Sequence, residues 1–176
     1  MGTTPRIALD DRAQNMGGII DPVPMYDPDL VTLSRTPIMK AYMSPILSAE
    51  DKDRLRIFVA ENIDCGVCKH MRDNSADIGT LPDGANPSTP IESLIVKFLS
   101  DPHTVEARDW DAAVSELGEA GAASAMMNIA FSNFHAKLIV LCGLEPESAD
   151  ALENTSFDSS KYSIEDGAIG MIADKA

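Results

Sequence analysis

Cys65 and Cys68 stand in a run dense in reactive side chains, Glu61-Asn62-Ile63-Asp64-Cys65-Gly66-Val67-Cys68-Lys69-His70-Met71-Arg72. Two sulfurs three positions apart at a helix start suit thiol–disulfide chemistry for two reasons. One helical turn brings them within disulfide reach. The free N–H groups and positive dipole end of the helix favour the thiolate, which is the reactive species. Zinc is the competing use of such a pair, but a zinc site needs about four ligands. The chain has three Cys and three His, with no second Cys/His pair. An inert structural pair is the third reading. Arg72, one turn past Cys68, sets a permanent positive charge about 5–6 Å away between Cβ atoms. The expectation is therefore a Cys68 thiol that titrates below the free value of about 8.5. Asp53 precedes Cys65 by eleven intervening residues, and His70 follows Cys68 by two. That offset turns His70 to a different helix face from position i+4. His135 falls in line with Phe131 and Cys142, either as a satisfied core histidine or as a base delivered from across a bundle. Glu61 and Asp64 read as solvated surface acids, and Cys142 as a small buried hydrophobe.

The elements that must position these residues all carry a helical period. Ser48 can cap a helix whose Leu55, Phe58, Val59 and Ile63 share one face, and this helix runs into the cysteines. A helix over 28–42 precedes it, and a short one is expected over Cys68–Ala76. After a Gly/Pro/Asp/Asn-rich loop over Gly79–Ser88, Thr89-Pro90-Ile91-Glu92 forms a capping box with proline at the first helical position. Ile91, Leu94, Ile95, Phe98 and Leu99 then repeat on one face until Asp101-Pro102. Thr104 starts another helix, with Trp110, Ala113, Val114 and Leu117 together, closing near Gly118–Gly121. The longest element, about Ala122–Cys142, has Met127, Ala130, Phe131, Phe134, Leu138 and Leu141 as its apolar stripe. Gly143 suits the residue after its end, and Pro146 prevents continuation. No alternating strand pattern and no internal repeat is found, so the expected class is all-α, with no sheet.

The 176 residues divide into an irregular arm (1–27), a helical domain (28–146) and an acidic extension (147–176). From Glu145 onward there are eight acidic residues against two lysines. The net charge of −14, from 28 acidic and 14 basic residues, argues against nucleic acid, which needs a clustered Lys/Arg surface to displace counterions. It argues equally against anionic membranes. Mean hydropathy is −0.07, and no stretch reads as the roughly 18 apolar residues of a transmembrane helix. With no leader pattern at Met1–Gly18 and an odd cysteine count, the expected compartment is the cytoplasm.

The block LRIFVAENIDCGVCKHMRDN, followed later by the long helix NIAFSNFHAKLIVLCGLEPE, resembles the AhpD-like/carboxymuconolactone decarboxylase superfamily over about residues 28–146. Its alkylhydroperoxidase branch carries Glu, about eleven residues, Cys-x-x-Cys, three residues, then His. The resemblance implies an AhpD-like helical bundle that assembles as a homo-oligomer, a trimer or hexamer. It implies that Cys68 is the peroxidatic nucleophile and Cys65 the sulfur that forms the disulfide with it. The proton-relay glutamate falls on Asp53, and the relay histidine on Arg72, which stays protonated; His70 or His135 would then have to supply the proton. The expected function is a thiol-dependent peroxidase or disulfide reductase. Its substrate is an organic hydroperoxide or disulfide, its reductant an external dithiol or protein, and no metal, flavin or haem is required. The alternatives are a decarboxylase-like enzyme binding a lactone acid, and a non-catalytic helical oligomer with a vestigial dithiol.

Overall fold

The computed structural model describes residues 40–71, 73 and 86–143 with their side chains, and the backbone of four short strands. Residues 40–43 are helical; the remainder of the expected first helix lies outside the described residues. Helix α1 (Ala49–Ile63) starts where Ser48 Oγ accepts the Asp51 N–H at 3.0 Å. It ends at Asp64, whose left-handed conformation (φ 59°) turns the chain directly into α2 (Gly66–His70). The expectation of a helix over Cys68–Ala76 is corrected here: α2 begins immediately after Cys65, because the Cys65 sulfur is itself the cap, accepting the Cys68 N–H at 3.3 Å. Residues 74–85 lie outside the described residues.

Helix α3 (Pro90–Ser100) begins as its sequence predicts, with Thr89 Oγ1 accepting the Glu92 N–H at 3.3 Å. The Glu92 carboxylate, however, accepts from the Ser88 N–H at 2.6 Å and from Arg54 at 3.2 Å. It thereby ties α3 to α1. A single 3₁₀ turn (Pro102–Thr104) leads into α4 (Ala107–Cys142), so this helix starts three residues later than Thr104. Gly118 breaks it internally, with φ 72° and ψ 166°, and Gly143 closes it in the left-handed region at φ 65°. Nothing lies within 4 Å of a Cβ built on Gly118, so a side chain there meets backbone strain alone. Gly118→Ala is expected to cost about 1–3 kcal/mol, read as a lower midpoint in urea.

The core joins three helices: Leu55, Phe58 and Val59 of α1, Ile91, Leu94 and Ile95 of α3, and Ala113, Ala122, Ala125 and Ile129 of α4. Each of the large side chains contributes roughly 1.5–3 kcal/mol by leaving water. Lys97 and Asp109 brace α3 against α4 at 2.6 Å. The stripe expected on the longest helix is corrected. The face of α4 that turns inward is Ala122, Ala125, Asn128, Ile129, Ala136, Ile139 and Cys142, whereas Met127, Phe134 and Leu141 are exposed. Alanines let the α4 backbone approach its neighbours closely, which a row of large side chains would prevent.

The described bundle is all-α, as expected. The expectation of no sheet is corrected by two small antiparallel ladders outside it, β1 (Gln14–Asn15) with β2 (Ile20–Asp21) and β3 (Tyr162–Glu165) with β4 (Ala168–Met171). Glu165 pairs with Ala168, leaving Asp166-Gly167 between the strands. Two residues of type Asp-Gly are a strong hairpin signal in a sequence. Ladders this small are marginal by themselves.

Candidate functional site

The site is assembled where α1, α2 and α4 meet. Cys65 Sγ and Cys68 Sγ are 2.6 Å apart as free thiols, 0% and 4% exposed. Ala60, Val67, Ala136, Ile139 and Cys142 pack around them, so the third cysteine belongs to the same apolar cluster.

Beneath the pair lies a buried charge network. Arg56 donates from Nε and Nη2 to Asp53 Oδ1, at 3.1 and 2.7 Å, and from Nη1 to the Cys68 carbonyl at 2.6 Å. Nη2 also reaches the Met71 carbonyl. The other oxygen of Asp53 accepts the Asp73 N–H at 2.8 Å. Arg56 therefore fastens the C-terminal end of α2 to α1, satisfying carbonyls that a five-residue helix leaves open. Tyr42 lies beside this network, its hydroxyl near Ser132 of α4 and within the fields of Arg56, Asp53 and Cys68. Lys52 holds the end of the helical segment that carries Tyr42, donating to the Tyr42 and Ser44 carbonyls, the latter at 3.0 Å.

These surroundings divide the two sulfurs. The Cys65 thiol is held below its ordinary range, chiefly by accepting from the Cys68 thiol and further by the backbone N–H groups of Cys68 and Val67. Cys68 is pushed upward, first by donating to Cys65, then by burial; the Arg56 charge opposes this. The expectation of a low-titrating Cys68 is thus reversed. The N-cap position of Cys65, with its backbone donors, favours the thiolate there. Burial, partly offset by Arg56, raises Tyr42 to about 12 from 10.0, so it stays neutral at physiological pH. A raised folded-state value stabilises the fold fully below pH 10.0, and that contribution disappears as pH rises toward 12. Stability is expected to fall by about 2–3 kcal/mol across this window, and Tyr42→Phe should flatten this part of the urea-midpoint profile.

Of the residues singled out from sequence, the structure brings together Cys65, Cys68 and Asp53. Asp53 is buried as the ion-pair partner of Arg56. His135 is half-buried on α4, next to Ala136 of the sulfur cluster. His70 is not brought in: it is exposed, its Nδ1 2.8 Å from the Gly66 carbonyl. Glu61 and Asp64 sit at the surface around Lys69, at 3.3 and 2.6 Å. Arg72 lies outside the described residues. The sequence reading missed Arg56, Tyr42 and Ser132. Arg56 did leave a signal, as a charge inside the apolar run Leu55–Ala60 with an acid three residues earlier. Among the described residues, no group of three or more His, Cys, Asp and Glu is gathered as for a metal ion. Comparison with protein-family models, with curated proteins and with solved structures finds no match to the chain.

Proposed function

We propose that the chain is a dithiol oxidoreductase, a thiol-dependent peroxidase or disulfide reductase that cycles Cys65 and Cys68 between dithiol and disulfide. The observation that carries this reading is the contact of two free sulfurs at the N-cap of α2, over the Arg56–Asp53 pair. The resemblance of residues 28–146 to the AhpD-like alkylhydroperoxidases supports it and suggests a hydroperoxide as oxidant. Because the N-cap position and its backbone donors favour a thiolate at Cys65, it is the first nucleophile in this proposal, and the order implied by the resemblance is inverted. The Cys65 thiolate attacks the distal peroxide oxygen, the O–O bond breaks, and the departing alkoxide takes the Cys68 proton to give an alcohol. The Cys68 thiolate then displaces hydroxide from the Cys65 sulfenic acid, closing the disulfide. An external dithiol returns two electrons and two protons by exchange.

The test is to expose the reduced chain to tert-butyl hydroperoxide and follow peroxide, free thiols and intact mass together. One equivalent of peroxide should remove two thiols and about 2 Da. Unchanged thiols and mass, with no peroxide consumed, would overturn the proposal.

A further inference from the structure

We propose that Arg56 is the positioning residue of the disulfide-closing step: its guanidinium holds Cys68 against α1 and supplies the positive charge beside which that sulfur becomes a thiolate. The role rests on the dithiol reading and adds to it a task that the cysteines cannot perform themselves. In the order given above, Cys68 yields its proton to the departing alkoxide, and is an anion before it attacks the Cys65 sulfenic acid. The S–S bond then forms, the S–O bond breaks and hydroxide leaves. The difficulty lies in that anion. Cys68 is 4% exposed, and around it pack Ala60, Val67, Ala136 and Ile139, an apolar shell of the kind that disfavours charge.

Arg56 is placed to meet that difficulty. Its side chain is 3% exposed, against 1% for Asp53, so its field reaches its neighbours with little screening. The guanidinium has two sides in use. Nε and Nη2 face Asp53 Oδ1 at 3.1 and 2.7 Å, while Nη1 donates to the Cys68 carbonyl at 2.6 Å. The cation is therefore the member of the ion pair that borders Cys68, and the second oxygen of Asp53 is turned to the Asp73 N–H at 2.8 Å. Its charge opposes the upward pushes that Cys65 and burial give the Cys68 thiol. Once Cys65 is a sulfenic acid its own charge is gone, and the balance left at Cys68 is chiefly burial against Arg56. The geometry is braced at both ends of α2. The Cys65 N–H donates to the Ala60 carbonyl of α1 at 3.0 Å, and Arg56 grips the other end through the Cys68 and Met71 carbonyls. Both cysteines thus take their positions from one helix, which keeps the sulfurs together while the charge on one of them changes.

The test is a competition. The reduced full chain is mixed with tert-butyl hydroperoxide in the presence of dimedone, and intact mass gives the ratio of dimedone adduct to internal disulfide. Trapping and closure draw on the same sulfenic acid, so the ratio reports the closing step whatever the speed of the first one. A neighbouring opposite charge lowers a pKa by roughly 1–3. Each pKa unit regained costs tenfold in thiolate, of which the more basic sulfur returns about threefold in nucleophilicity. Arg56→Gln keeps an amide donor without the charge, and its adduct-to-disulfide ratio should rise roughly 3- to 40-fold. Arg56→Lys keeps the charge without the fork and should fall between Arg56→Gln and the wild type. If circular dichroism shows Arg56→Gln unfolded, Arg56→Gln combined with Asp53→Asn removes both charges of the pair and should give a rise in the same range. An unchanged ratio in the uncharged variants, or a ratio in Arg56→Lys as high as in Arg56→Gln, would overturn the proposal and leave the dithiol reading standing. A wild-type chain that gives neither adduct nor disulfide would remove that reading, and this proposal with it.

Discussion

Replacing Arg56 by Met is expected to lower stability by about 3–5 kcal/mol, the cost of leaving a buried carboxylate without its partner. Arg56 and Asp53 are both almost wholly buried and 2.7 Å apart, so solvent does not take over when the cation is lost. The Cys68 carbonyl loses its bond at the same time, and so does the Met71 carbonyl. With an m-value of about 2 kcal/mol per molar, the urea midpoint should fall by about 2 M. Asp53→Asn on the same background should recover part of the loss, since a neutral amide is cheaper to bury than an unpaired charge. A drop below about 1 kcal/mol, in the range of exposed ion pairs, would mean that α2 is held by something other than this pair. Arg56→Lys keeps the charge but cannot make the forked set of bonds, so it should lie between the two.

The second large effect concerns the two sulfurs. Cys65→Ser is expected to slow reaction with hydroperoxide, by roughly tenfold for each pKa unit that separates the two thiols. The remaining sulfur, Cys68, keeps the burial that disfavours its thiolate, opposed by the Arg56 charge. Cys68→Ser, in contrast, should leave Cys65 at the helix N-cap with its backbone donors, able to form a sulfenic acid that no neighbour resolves. Trapping with dimedone separates the two variants: an adduct of Cys68→Ser and little of Cys65→Ser is expected. The opposite pattern would restore the order that the family resemblance implies.

What could be read from the sequence was mostly local. Ser48, Thr89 and Gly143 act over three or four residues, and all three mark helix ends where their spacing says they should. The inward row of α1 was equally legible, because Leu55, Phe58 and Val59 are large and recur on one face. The inward row of α4 was not. Its periodicity is set by alanines, while the large side chains that dominate any hydrophobic pattern point the other way. The hairpin at Tyr162–Met171 carried a usable signal in Asp166-Gly167 that a helical reading passes over.

In the site, the Cys-x-x-Cys pair was visible and its surroundings were not. Arg56 reads as a surface charge until α2 folds back over it, and Tyr42 and Ser132 come from sequence positions 90 apart, joined solely by packing. Arg72, the cation whose helical offset suggested a low Cys68, lies outside the described residues, whereas the cap geometry of Cys65 and the burial of Cys68 are on view. Helical spacing identifies neighbours along one element, whereas titration depends on every donor and charge that the fold brings near.

Peptide mapping decides whether Cys65 and Cys68 form a working redox pair. The reduced chain would be treated with one equivalent of tert-butyl hydroperoxide, alkylated under denaturing conditions and digested. A Cys65–Cys68 disulfide within one peptide, Cys142 fully alkylated, and recovery of all three alkylated thiols after dithiothreitol are expected. Three alkylated cysteines after peroxide, or a disulfide that engages Cys142, would contradict this pairing.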